Sequence, residues 1–513
     1  MAKATKILRN FYRDSVSLMQ LSSTLAKYPG LEQASAIMAS PNNVSLLKEA
    51  GLLTGTVEAC ANDLLIALQG DDDALDAAMA AAEVALNQNP PSMTGNGTSR
   101  GMPPRSIEMG LEEMVGANLV LISTPGEYAA AEAFKALSLG LNVMLFSDNV
   151  ELKDEIALKR FAQAHDLIVM GPDCGTAIIN GVPLAFANVV KRGTIGVVAA
   201  SGTGLQQVTC LIDRWGKGIS QAIGTGGHDL HRDVGGISMI QGLKALAADQ
   251  STSVIVLISK PPSPEVAERV LNAAGTAGKP VVVNFLGADP EDIKRPNIFP
   301  AETLEDAAAA AVALSEGRQP EGSRPKVPSL APSPKPASGQ RYLRGLYSGG
   351  TFCYEAALLL KTDLGQIYSN TPVDPRDRLD DVWTSWRHTV IDLGDDLFTR
   401  GRPHPMIDHR LRNERILKEA ADPEVAVILL DVVLGYGSHP NPASEMAPVI
   451  QKAKDLATKA GRHPVFVGFV CGTSSDPQNV SNQEATLRDA GMVLVESNAQ
   501  AVRLATTLCA HDR

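Results

Sequence analysis

A series of apolar runs between residues 117 and 287, "ANLVLIST", "NVMLFS", "LIVMG", "GTIGVVAA", "GISQAIGTG", "SVIVLIS" and "PVVVNFLG", alternates with polar turns and helical patterns. A strand that is apolar on both faces must be covered on both, and helices joining successive strands give that cover through right-handed crossovers. The alternation predicts parallel sheets, two of them meeting near Arg192. From residue 344 the pattern repeats with "RGLYSGG", "HTVIDLGDD", "VAVILLDVVLG", "PVFVGFVCG" and "MVLVES", which predicts a further doubly wound unit.

The 513 residues exceed what one core supports, so several domains are expected. Residues 1–86 read as strands over 6–11, 33–39 and 63–68 with helices over 15–27, 43–50 and 72–87, a small α/β cap. Segments 87–106 and 316–340 are rich in Pro, Gly and Ser and read as linkers. They set off domains at 107–191, 192–315 and 341–513. Apolar residues at 44% with aromatics at only 4% suit helices laid over parallel sheets, so the fold class is α/β. A formal charge of -11 argues against a nucleic-acid partner, which needs clustered cations. The N-terminus lacks an apolar signal region and no segment reaches about 18 uninterrupted apolar residues, so a cytoplasmic protein without a membrane partner is expected. The six cysteines are dispersed without a CxxC pair, which indicates neither a disulfide framework nor a zinc ribbon.

In open parallel sheets ligands collect beyond the carboxyl ends of the strands. Several loops there are rich in Gly, Ser and Thr: "SGTG" (Ser201, Gly202, Thr203, Gly204), "GTGG" (Gly224, Thr225, Gly226, Gly227), "SGGT" (Ser348, Gly349, Gly350, Thr351) and "GDD", which begins with Gly394 and Asp395. Gly lets a backbone approach a ligand, hydroxyls donate, and a helix N-terminus aims unsatisfied N–H groups at an anion. Taken alone, "SGTG" is equally a tight corner. Two such loops in one half, opposed by "SGGT" in the other, favour a shared phosphate or carboxylate site. His228 follows a glycine pair and suits a surface histidine as well as a catalytic one. No metal site is expected, because His228 and His231 have no completing set of ligands. Arg400 and Arg402 follow "GDD" and can clamp a small dicarbonyl anion bidentately. Cys174 in "GPDCGT" reads as structural, and Trp383 and Trp386 as packing residues.

In order and spacing, "GPDCGTAI", "RGTIGVVAASGTGLQQV" and "QAIGTGGHD" resemble the α subunit of succinyl-CoA synthetase. The segment from "VAVILLDVVLG" through "PVFVGFVCG" to "LRDAGMVLVES" resembles the C-terminal domain of its β subunit. Both pieces in one chain behind a cap resemble the FdrA-type proteins of that acyl-CoA synthetase superfamily. The resemblance implies a CoA-binding-like Rossmann domain at 107–191 and two flavodoxin-like domains at 192–315 and 341–513. It leaves room for coenzyme A and for a homodimer. The sequence departs from the superfamily where the chemistry sits. "NFLGADPEDIKRPNIFPAE" has no histidine where the synthetases carry the phosphorylated one, and Gln207 stands where they have the glutamate that orients it. No ATP-grasp domain precedes the β-like part, and the N-terminal region lacks a "GxxGxxG"-like CoA loop. Some FdrA-type proteins are associated with oxamate carbamoyltransferase, which interconverts carbamoyl-oxamate plus phosphate with carbamoyl phosphate plus oxamate, together with further subunits.

The resemblance thus implies a small acyl or carbamoyl substrate, phosphate as co-substrate and no obligatory cofactor. The loop pattern, with Gln207 added by the resemblance, puts phosphate and acyl contacts at Ser201 to Gly204, Gln207, Gly224 to Gly227, Ser348 to Thr351, Gly394 and Asp395, with His228, Arg400 and Arg402 as catalytic candidates. An acid–CoA ligase completed by an ATP-grasp partner and a non-catalytic assembly subunit remain open.

Overall fold

The computed structural model describes residues 2–53, 55, 57–87, 104–320, 337, 339–399 and 403–509. Most of both expected linkers, together with Arg400 and Arg402, lies outside the described residues. The chain divides into two compact units, Met1–Leu167 with Asp396–Ile407, and Ile168–Asp395 with Asp408–Arg513.

In the first unit, strands Ala2–Leu8 and Leu31–Met38 flank Leu64–Gly70 in an antiparallel sheet. Alternate residues of the central strand face opposite sides. Leu64, Ile66 and Leu68 pack with Leu18, Leu25, Ala78 and Ala82 of the helices Ser15–Leu25 and Asp72–Asn87, while Leu65 and Ala67 pack with Leu47 of the helix Pro41–Glu49. The first strand begins earlier than the sequence suggests. Ala2 and Ala4 give little apolar signal, yet they pack on the core face opposite Gly70 and Leu68. Further along, Leu119–Ile122 and Asn142–Leu145 pair in parallel around the helix Gly126–Ser138, which buries Ala129, Ala133, Ala136 and Leu137.

The second unit holds two sheets. One runs Ile298–Pro300, Val281–Phe285, Val254–Ser259, Arg192–Ala199, Ile219–Gly224, Thr176–Ile179, Val182–Ala185. Its first five strands are parallel, as expected. Its last two form an antiparallel hairpin that the sequence reading placed with the preceding segment. Asn180 and Gly181 turn that hairpin with φ of 51° and 80°, the left-handed pair that an Asn-Gly corner adopts most readily. The other sheet, Thr389–Asp392, Tyr342–Tyr347, Val425–Val433, Val465–Cys471, Val493–Val495, is parallel throughout. Every residue of Val425–Val433 and Val465–Cys471 is buried, the mark of strands covered on both faces. Trp383 and Trp386, expected to pack, are 42% and 58% exposed, because the loop before Thr389–Asp392 runs over the surface.

Candidate functional site

The strands Arg192–Ala199 and Tyr342–Tyr347 end in similar turns, each of which starts a helix in the second unit. Ser201 takes extended backbone and caps the helix Gly202–Arg214, its Oγ accepting from the N–H of Gly204 at 2.9 Å. That helix is buried from Thr203 through Asp213, because the helix Leu304–Ser315 packs on it from one side and the second sheet's elements from another. The helix Gly350–Leu364 starts against it. The hydroxyls of Ser201 and Thr351 bond to each other at 2.6 Å. A Cβ on Gly349 would stand 2.9 Å from Thr203 Cγ2, so only glycine lets the two turns approach this closely. Ser201, Thr203, Gly349, Gly350 and Thr351 therefore form one place.

The rest of the second turn is committed elsewhere. Ser348 donates its N–H and its hydroxyl to Asp431, both at 2.8 Å, and Gly349 N–H reaches the same carboxylate at 3.0 Å. Asp431 is in turn paired with Arg412 at 2.8 Å, and both are fully buried. Ser348 and the Gly349 amide thus anchor the turn and offer no free donor to a ligand. Gly204 also faces protein. A Cβ there would meet Ile258 Cγ2 at 3.2 Å and Leu304 Cδ2 at 3.3 Å.

One turn beyond Thr203, Gln207 is 2% exposed and neither atom of its amide has a hydrogen-bond partner. One turn beyond Thr351, Glu355 accepts from Leu304 N–H and from the Asn498 amide, both at 2.8 Å, and burial raises its carboxyl to about 7. An unpaired buried amide costs free energy that a bound partner would recover.

The loop 224–229 lies beside the first turn, since Gly224 pairs with Ala199 and Thr225 N–H donates to Ala199 at 2.8 Å. Its glycines serve packing. A Cβ on Gly224 would strike the Thr176 carbonyl, and one on Gly226, at φ 86°, the Pro172 carbonyl. Gly227 and His228 are exposed, and the buried Asp229 accepts from the N–H groups of Ser238 and Met239 at the start of the next helix. Cys174 is buried against the carbonyls of Gly224 and Thr176.

Sequence reasoning missed two charged residues at this place. Asp392, the last residue of its strand, accepts from Gly394 N–H at 2.9 Å through Oδ1, while a Cβ on Gly350 would overlap its Oδ2 and stand 3.6 Å from Lys260 Nζ. Burial raises the Asp392 carboxyl to about 6, against the pull of Lys260. The pattern "GDD" points to Gly394 and Asp395. The signal was two residues earlier, in a carboxylate closing an apolar strand, and likewise in Lys260 immediately after "VIVLIS".

Among the described residues no group of three His, Cys, Asp or Glu could hold a metal ion, and no helix is long and apolar enough to cross a membrane. Three family models match the chain: CoA-ligase over residues 346–508, CoA binding domain over 190–287, and AllF, heavy metal-associated domain over 1–102. The CoA binding match thus falls on the sheet that carries Ser201. In the first unit Asp63 already accepts from Arg9 and from the N–H groups of Asn10 and Cys60, and the donor set there does not fit a heavy metal. A coenzyme A diphosphate would take a helix N-terminus. The start of Gly126–Ser138 does not fit one, because the carbonyls of Asp148 and Asn149 fill the space beside Gly126.

The chain is 28% identical over 178 residues to the succinate–CoA ligase [ADP-forming] subunit alpha of Aquifex aeolicus, covering 34% of this chain and 57% of that subunit. Among solved structures, dinucleotide forming acetyl-coenzyme A synthetase 1 of Ca. Korarchaeum cryptofilum is 15% identical, covering 76% of this chain and 82% of that one, with a TM-score of 0.33. The uncharacterised protein YahF of Escherichia coli (strain K12) is 42% identical over 502 residues, 97% of this chain and 96% of YahF. The chain is thus a CoA-ligase-like α/β protein, and it belongs to the family of YahF.

Proposed function

We propose that this chain is the transferase subunit of an acyl or carbamoyl transfer to phosphate, with oxamate carbamoyl transfer as its reaction and further subunits as its partners. The observation that carries the reading is the 2.6 Å bond joining Ser201 to Thr351, which brings two helix N-termini from two sheets to one point. An anion there receives both hydroxyls in place of the bond they now share, and the positive ends of two helices favour it. Attack of phosphate on a carbamoyl carbon needs alignment and charge stabilisation, and those are what such a seat supplies. The absence of histidine from residues 284–302 and the unpartnered Gln207 amide support a reaction without a phosphohistidine relay. His228, exposed on the loop 224–229, is assigned to the mouth of that loop.

A second reading, an acid–CoA ligase completed by an ATP-grasp partner, is favoured by the CoA-ligase and CoA binding matches. The two separate in one assay. The protein, combined with the proteins encoded beside it, should form carbamoyl phosphate from carbamoyl-oxamate only when phosphate is present. Incubation with ATP, magnesium and succinate should leave no acid-labile phosphate on any histidine. Phosphohistidine in the product, with no carbamoyl phosphate formed, would favour the ligase.

A further inference from the structure

Lys260 and Asp392 come from different sheets and converge on Gly350, one residue from the Ser201–Thr351 bond. Lys260 follows the strand Val254–Ser259, whose Ile258 carbonyl accepts from the N–H of Ala200, so its backbone leaves the sheet beside the Ser201 turn while its ammonium stands beside Gly350. Asp392 presents one oxygen to Gly394 N–H and turns the other toward the bare Cα of Gly350. Resting on the proposed phosphate-dependent transfer, we infer that Asp392 is its catalytic proton shuttle and that Lys260 is the cation holding the phosphate beside it.

The chemistry balances. A phosphate oxygen of HPO4(2−) forms a bond to the carbamoyl carbon, and the bond from that carbon to the oxamate nitrogen breaks. Asp392, protonated when the dianion is bound, gives its proton to the departing nitrogen and takes up the one leaving the phosphate hydroxyl, so that carbamoyl phosphate and oxamate leave with no net proton released. A carboxyl raised to about 6 by burial can take and return that proton near neutral pH, where an ordinary carboxylate returns it poorly. The charged and titratable groups facing Asp392 are Lys260, Asp395 on its own loop, Asp431 with its partner Arg412, and Cys353 on the helix that starts at Gly350. Tyr347 stands opposite it in the sheet register and donates its hydroxyl to Asn498.

Sulfate is a dianion throughout the range from pH 5 to pH 8 and so reports the protein's titration alone. Sulfate affinity of the full chain, read from melting shifts, should fall about tenfold per pH unit above about 6 as Asp392 ionises. In D392N, which keeps an acceptor for Gly394, affinity should stay at its acid value up to pH 8. In K260M it should be weaker at least tenfold at every pH. In the carbamoyl phosphate assay, D392N should lower kcat a hundredfold or more without raising KM for phosphate. A sulfate response that T203A weakens, but that has the same pH profile in D392N as in wild type, overturns the shuttle and leaves the seat standing. No sulfate or phosphate response at any pH removes the seat, and the shuttle with it.

Discussion

The turns 201–204 and 348–351 carry nearly the same residues and meet at one hydrogen bond, yet their surroundings differ in charge. Around the first stand Ser201, Thr203 and Gln207, with no carboxylate, and the helix is capped by its own serine. Around the second stand Asp392, Asp431 and Glu355, and two N–H groups of the turn are already spent on Asp431. A glycine turn before a helix is thus an anion seat only where no acid from a distant strand has taken its donors. Under the proposed transfer the first turn binds the anion, while the acid-lined turn moves the proton and holds its partner in place.

The sharpest test of that contrast is to strip the acid turn of its anchor. Asp431→Ala leaves the buried Arg412 unpaired and orphans Ser348 and Gly349, a loss of about 3–5 kcal/mol in denaturant unfolding. An effect below about 1 kcal/mol would mean that Asp431 does not organise the turn.

Next in size is a pH dependence confined to the acid turn. The Asp392 carboxyl rises in the fold from 3.8 to about 6, so the folded state binds its proton more tightly than the unfolded chain does. Its stabilising effect is complete below about pH 4 and lost by about pH 6, a fall on the order of 3 kcal/mol as pH rises. D392N should remove that part of the slope and leave the one from Glu355, whose carboxyl rises to about 7, whereas Q207E should add a further slope to the wild-type profile. Identical profiles for wild type and D392N would remove the contrast.

Gly204→Val should cost about 1–3 kcal/mol by overpacking Ile258 and Leu304, and because its Cβ would stand 2.5 Å from Ser201 Oγ it should also shrink any melting shift from phosphate. Loss of the phosphate shift at unchanged stability would instead turn Gly204 toward the ligand. Thr351→Val, the mildest change, removes the bond to Ser201 and should cost about 0.5–1.5 kcal/mol. A neutral outcome would mean that the two turns are held together by packing alone.

The parallel sheets were legible because strands such as Val425–Val433 are apolar at nearly every position, and burial on both faces requires that composition. The hairpin at Asn180 and Gly181 has its own signal in "AIINGVPL", an Asn-Gly pair between two apolar runs, although the crossover pattern around it dominates. At the site, Ser201, Thr203 and Thr351 came from residue type and position within the turn. Lys260, Asp392 and Asp431 did not, since their meeting depends on how two sheets pack, which no local pattern encodes. The loop 224–229 shows the converse: its glycines match an anion loop, but carbonyls of residues 172 and 176 are what exclude side chains there.

The seat itself is tested by titrating inorganic phosphate and, separately, coenzyme A against the melting temperature of wild type and T203A. A saturable rise with phosphate that T203A weakens, with coenzyme A giving little or none, is the expected result. Equal phosphate shifts in both proteins, or a large shift with coenzyme A and none with phosphate, would contradict an anion seat at Ser201 and Thr351 and reduce the turn to a tight corner.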